Sequence, residues 1–111
     1  MTQEVVDAFH TLYYNNWNRT WETTTWMGVK VLKCPTDLWI YQELIHALQP
    51  DLIIETGTAF GGSAYYFASL MDIVGSGRVI TIDLCGKSDF PDRPKHDRIE
   101  YWQGSSVDPL I

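Results

Sequence analysis

Positive charge is scarce in this chain: eight Lys and Arg stand against 14 Asp and Glu, a formal net charge of −6. A sequence-independent grip on nucleic acid or on an anionic membrane needs clustered Lys and Arg, so neither partner is expected. Cysteine is scarce too. Cys34 and Cys85 are too few and too far apart for a disulfide framework or a metal cluster, and both read as reduced thiols. No stretch approaches the roughly 20 consecutive apolar residues of a bilayer span. Met1-Thr2-Gln3-Glu4 lacks the basic and apolar regions of a secretory signal, so a cytoplasmic chain is expected.

What is present is ordinary globular material, 45% apolar and 20% charged over 111 residues, enough for at most one domain. The chain is organised around Leu52-Ile53-Ile54-Glu55-Thr56-Gly57-Thr58-Ala59-Phe60-Gly61-Gly62-Ser63. This stretch reads as strand, tight turn and helix start. Glycine reaches positive φ without a Cβ clash and lets a ligand approach the backbone, and the helix that follows offers unpaired N–H groups and a positive dipole end. In an α/β sheet a nucleotide-like ligand sits at such a place.

Taken in order, Glu4 to Tyr14 places Val5, Val6, Phe9, Leu12 and Tyr13 on one face of an amphipathic helix. From Asn15 to Val29 the periodicity is lost, while Trp17, Trp21 and Trp26 suggest a loop pinned by buried indoles or the wall of a pocket. Pro35-Thr36-Asp37 signals a helix start, with Asp37 as the capping acceptor. Leu38, Tyr41, Leu44, Ile45 and Leu48 then form a stripe facing a core, and Pro50 ends the helix. Ser63 to Val74 is apolar on almost every face, a buried helix that Gly75 closes in a left-handed conformation. Arg78 to Asp83 reads as a parallel strand covered on both faces, Cys85 to Arg98 as a solvated loop, and Ile99 to Gln103 as a third strand before the polar turn Gly104-Ser105-Ser106. These elements predict an α/β fold, a Rossmann-like three-layer α/β/α sandwich of about three parallel strands. Residues 1–34 would form a helical and Trp-rich lead-in to a ligand-binding half at 35–111.

Strand, glycine loop, helix, strand and acid together are the nucleoside-binding half of a doubly wound fold, with Asp83 placed to hold ribose hydroxyls. No Gly-Lys-Ser or Gly-Lys-Thr follows the loop glycines, which removes the phosphate-loop reading. Gly57-x-Ala59-x-Gly61-Gly62 also departs from the Gly-x-Gly-x-x-Gly of nicotinamide sites. Glu55, two residues before the first glycine, would repel a pyrophosphate but attract an ammonium or sulfonium. S-adenosylmethionine carries those cationic groups and no phosphate. The cofactor site expected here comprises Glu55, Thr56, Gly57, Gly61, Gly62, Ser63, Asp83, Gly104, Ser105 and Ser106. Glu55 could instead pair with a helix N-terminus, Asp83 could be a solvated turn acid, and the two serines could be a plain helix cap.

Several separated blocks then carry a resemblance. Trp26-Met27-Gly28, Lys33-x-Pro35-x-Asp37-Leu38-Trp39-Ile40-Tyr41-Gln42-Glu43, Pro50-Asp51-Leu52-Ile53-Ile54-Glu55-Thr56-Gly57, Gly61-Gly62-Ser63-Ala64, Gly77-Arg78-Val79-Ile80-Thr81-Ile82-Asp83 and Gly104-Ser105-Ser106-x-Asp108-Pro109 occur in order. Over roughly residues 26 to 111 the chain resembles the cephalosporin hydroxylase and rhamnosyl O-methyltransferase family. The resemblance implies the first half of a class I S-adenosylmethionine-dependent methyltransferase fold, with Glu55, Gly57 and Asp83 in the cofactor site and Gly104-Ser105-Ser106 near the adenine. It also implies a divalent metal such as Mg in the full-length enzyme, held by carboxylates at a fourth strand and beyond, so that no catalytic or metal residue is assigned within the 111 residues. The implied activity is O-methylation of a hydroxyl on a sugar, a lipid-linked glycan or a natural product. A donor-binding module without catalysis and the family's hydroxylase activity stand as alternatives, though no His pair with a carboxylate suits iron. Three strands leave the opening strand with one bare edge, so the chain is expected to be the N-terminal part of a longer enzyme, marginally stable alone. That edge also allows a homo-oligomer.

Overall fold

β-branched runs too short for helices assemble into a parallel sheet, and the glycine-flanked apolar segment between the first two of them becomes the helix that covers it. The computed structural model describes residues 2–111. In chain order the elements are α1 (Thr2–Tyr14), α2 (Thr20–Thr23), β1 (Thr25–Trp26), β2 (Val29–Lys30), α3 (Pro35–Leu48), β3 (Leu52–Thr56), α4 (Gly62–Val74), β4 (Arg78–Asp83) and β5 (Ile99–Gln103). The sheet order is β3-β4-β5, all parallel, in a register that sets Ile53 beside Val79 and Glu55 beside Thr81. This is the Rossmann-like half expected from the sequence.

The core lies between α4 and the sheet. Ala64 and Ala68 are fully buried on α4, and their small side chains let the helix approach Val79 and Thr81, which are themselves sealed from solvent. Met71, Tyr66, Phe67 and Ile45 complete the cluster, and Tyr41 of α3 meets Phe67 edge-on at 5.5 Å. Gly75, in the left-handed region at φ 95°, returns its N–H to Met71 O and ends α4 as predicted. Among the described residues β3 pairs on one side only, so the bare edge inferred by counting strands is present. No helix is long and apolar enough to cross a membrane among the described residues.

Four expectations need correction. The segment around the tryptophans is a short helix and a two-stranded hairpin (β1, β2), with Met27 and Gly28 both at positive φ in its turn. Its indoles also differ in fate: Trp17 is 91% exposed, whereas Trp26 meets Tyr66 edge-on at 5.0 Å and donates its indole N–H to Ser69 Oγ. Asp37 makes no capping hydrogen bond; Cys34 occupies the cap position, and Asp37 lies in the first turn, where its charge still favours the dipole. The α3 stripe faces the core through Ile45, Leu38 and Tyr41, but Leu44 and Leu48 remain exposed beside Ile54 along an open groove next to β3. Finally, the connection from Cys85 to Arg98 is not uniformly solvated, because the Arg93 side chain within it is largely shielded from solvent.

Candidate functional site

The carboxyl ends of the three strands converge on one cleft of about 240 Å³. It is walled by Thr56 and Gly57 at the end of β3, Asp83 and Leu84 at the end of β4, and Gly104, Ser105 and Ser106 after β5. Gly57 N–H donates to Ile82 O at 2.7 Å and extends the ladder one residue past the strand. With φ at 86° and nothing within 4 Å of where a Cβ would lie, Gly57 presents bare backbone to the cleft. A ligand can lie against that peptide where any side chain would intrude.

Asp83 is fixed by backbone. Its Oδ2 accepts the Ala59 N–H at 2.8 Å and its Oδ1 the Cys85 N–H at 3.0 Å, which leaves each oxygen a further lone pair. Burial pushes the Asp83 carboxyl up, but the N–H groups of Ala59 and Cys85 and the nearby Arg93 guanidinium outweigh it and hold the group below the usual carboxylate range. An ionised acid with open acceptor sites on a cleft wall suits neutral hydroxyl donors.

Glu55 is buried and does not line the cleft. Its Oε2 accepts the Ser63 hydroxyl from the first turn of α4, and its Oε1 accepts the Thr81 hydroxyl at 2.8 Å. Thr81 Oγ1 lies 2.7 Å from Thr58 Oγ1; because Thr81 has given its own proton to Glu55, Thr58 is the donor in that contact. Burial raises the Glu55 carboxyl above its ordinary range against the opposing pull of these two hydroxyls. Gly61, Gly62 and Ser63 also lie off the cleft wall, Gly61 against Pro94 and Tyr101. A Cβ on Gly62 would come within 2.1 Å of Lys30 O, so this glycine lets α4 meet the hairpin. Six of the expected residues therefore surround one cleft, while Glu55, Gly61, Gly62 and Ser63 build the support beneath it.

Two contributors have no signal in the sequence. Thr58 is buried and links the glycine turn to β4 through Thr81. Arg93, its side chain only 10% exposed, donates through Nε to Ala59 O at 2.7 Å and through Nη1 to Cys85 O at 3.2 Å, and its Nη2 stands 3.6 Å from Asp83 Oδ2. Its guanidinium lies over Phe90 at 4.9 Å and near Tyr101 at 5.9 Å. A basic residue in a stretch holding Pro91, Pro94 and charges of both signs has no local mark of burial.

Comparison with known proteins bears on the family and the fold. The rhamnosyl O-methyltransferase of Mycobacterium leprae (strain TN) is 39% identical over 111 residues, covering 99% of this chain and 47% of the relative. That of Mycobacterium tuberculosis (strain ATCC 25618 / H37Rv) is 40% identical over 108 residues, 96% of this chain and 43% of the relative. The chain thus spans about half the length of the curated relatives it matches. Among solved structures, a CmcI apo-structure superposes with a TM-score of 0.69 at 32% identity, over 78% of this chain and 38% of that one. CmcI with SAH gives 0.64 at 28% identity, over 79% and 46%. CmcI with Mg-SAM gives 0.61 at 31%, over 78% and 38%. Residues 18–111 match the family model for rhamnosyl O-methyltransferase/CmcI, and with the parallel sheet and its carboxyl-edge cleft this assigns the chain to the rhamnosyl O-methyltransferase/CmcI family.

Proposed function

We propose that this chain is the donor-binding half of an S-adenosylmethionine-dependent O-methyltransferase whose acceptor is a hydroxyl of a sugar or sugar-bearing small molecule. The observation that carries the reading is the cleft itself: bare Gly57 backbone, an ionised Asp83 with free lone pairs and the Gly104-Ser105-Ser106 turn lie together at the carboxyl edge of a parallel sheet. Support for the ligand comes from CmcI structures carrying SAH and Mg-SAM, and support for the acceptor from relatives named rhamnosyl O-methyltransferases.

In this reading Asp83 accepts the ribose hydroxyls, the Gly57 peptide lies along the amino-acid end and Ser105 and Ser106 border the adenine. Bound S-adenosylmethionine supplies an electrophilic methyl on sulfur. The chain's own work is to fix the nucleoside so that the methyl points to the acceptor, and orientation of this kind carries much of the rate. Among the described residues no three His, Cys, Asp or Glu side chains converge on a metal site, so the residues present do not fit a divalent ion.

Isothermal titration of the full-length protein with S-adenosylhomocysteine tests the reading. Asp83→Asn removes the charge that accepts the hydroxyls and should weaken binding roughly tenfold or more, the cost of a charge-assisted hydrogen bond. Absence of binding by the wild type, or undiminished binding by Asp83→Asn, overturns it.

A further inference from the structure

One side chain outside the expected site is tied to both backbone stations that hold Asp83. Ala59 gives its N–H to Asp83 Oδ2 and receives Arg93 Nε at its C=O. Cys85 gives its N–H to Asp83 Oδ1 and receives Arg93 Nη1 at its C=O. A single guanidinium therefore braces the two residues whose N–H groups orient the acid, gripping in each the peptide that follows the donating one, one in the glycine turn after β3 and one in the connection after β4. We propose that Arg93 is a positioning residue that makes Asp83 selective for a vicinal diol, the ribose of an S-adenosyl ligand. The proposal rests on the donor-site reading above and extends it to the question of how that site tells ribose from deoxyribose.

The fork geometry is what the arrangement requires. Ala59 holds an unfavourable φ of 48°, a strain its two peptide hydrogen bonds offset, and an ammonium on a flexible stem cannot reach both carbonyls in fixed directions. The guanidinium is held in turn by Phe90 at 4.9 Å and Tyr101 at 5.9 Å, and Tyr101 donates its hydroxyl to Pro94 O at 2.6 Å, anchoring the residue after Arg93. Nη2 has no hydrogen-bond partner and faces Asp83 Oδ2 at 3.6 Å. Its charge keeps the carboxylate ionised without occupying the lone pairs that two hydroxyls would use. Removing the fork frees both residues to turn, and Asp83 then loses its direction while keeping its charge.

The test compares S-adenosylhomocysteine with its 2′-deoxy analogue on the full-length protein, for the wild type, Arg93→Met and Arg93→Lys. The wild type should prefer the ribo ligand by roughly tenfold to hundredfold, the worth of one hydrogen bond to a charged group. In both variants the preference should fall below about threefold, mostly through weaker binding of the ribo ligand. A general loosening of the fold would weaken both ligands alike and leave the ratio unchanged. An unchanged ratio in a folded variant, judged by near-ultraviolet circular dichroism, therefore overturns the role of Arg93. Arg93→Lys, which keeps the charge and most of the stem, carries the test if Arg93→Met does not fold. Wild type that binds neither nucleoside overturns the donor-site reading instead, and the two failures are distinct.

Discussion

Replacing Thr81 by Val changes almost no volume at a fully buried position, yet it breaks a chain of hydroxyls that ties the glycine turn to the sheet. Thr81 Oγ1 donates to Glu55 Oε1 at 2.8 Å and accepts from Thr58 Oγ1 at 2.7 Å. The substitution removes a hydrogen bond to a carboxylate and leaves a buried Thr58 hydroxyl unpaired, each costing about 2 kcal/mol, against a gain of about 1 kcal/mol from added apolar surface. The expected net loss is about 3 kcal/mol, or roughly 15 °C in Tm for a domain of this size. Guanidinium unfolding followed by circular dichroism measures it. Burial already raises the folded Glu55 pKa above its unfolded value, and losing the Thr81 hydroxyl removes a contact that favours the ionised form. A raised folded pKa contributes stability that is present below the unfolded value and lost as pH rises through the folded one. The Thr81→Val deficit should therefore be larger at pH 7 than at about pH 4. Glu55→Gln should cost less in the Thr81→Val background than in wild type, with a coupling of about 1 kcal/mol or more. A Thr81→Val protein within about 0.5 kcal/mol of wild type at pH 7, or strict additivity with Glu55→Gln, would refute the network.

Gly62→Ala should lose more than about 3 kcal/mol, because the new Cβ meets Lys30 O at 2.1 Å and Lys30 C at 2.6 Å, backbone atoms that cannot rotate away. Gly75→Ala, with open space but a φ of 95°, should cost only the left-handed strain of about 1 to 2 kcal/mol; thermal melts giving the reverse order would contradict the packing of α4 on the hairpin. Burial pushes the Tyr101 phenol up to about 12, against a smaller opposing effect of Arg93. Its contribution is present below the unfolded value of about 10 and lost as pH rises from there toward 12. Melts above pH 10 should then show wild type losing stability faster than Tyr101→Phe, and parallel curves would argue against burial of the hydroxyl.

The sheet and α4 are legible because their signals are local and redundant. Leu52–Thr56 and Arg78–Asp83 are β-branched runs ending in acids or polar turns, and Gly62–Val74 is bounded by glycines on both sides. The hairpin is not legible, since each strand holds two residues and no alternation can develop over that length. Trp17 and Trp26 look alike in sequence, yet one extends into solvent while the other meets Tyr66 and Ser69 of the α4 region. Their burial depends on contacts distant in sequence. The same holds for Arg93, whose partners lie 34 and 8 positions away in the chain. In the cleft, the glycine after β3 and the acid after β4 are readable from spacing, whereas the hydroxyl support from Thr58 depends on the strand register.

Glu55 and Asp83 show why residue type alone does not divide the work of such a site. Both are acids at or near a strand end, and both are plausible partners for a cationic or hydroxylated ligand on charge alone. Position along the strands separates them. Glu55 lies opposite Thr81 inside the ladder, so its carboxylate is directed beneath α4, where Ser63 and Thr81 take one lone pair on each oxygen and burial raises its pKa. Asp83 lies one residue beyond the last β3 pair, Thr56 with Ile82, where the chain after β3 has turned away from the ladder and meets the carboxylate only through the Ala59 N–H, so Asp83 reaches the cleft wall. Backbone N–H groups hold its charge there, and its folded pKa falls. Two residues along the ladder thus separate a carboxylate that braces the helix start from one left ionised at the cleft wall, where it can accept from neutral hydroxyls.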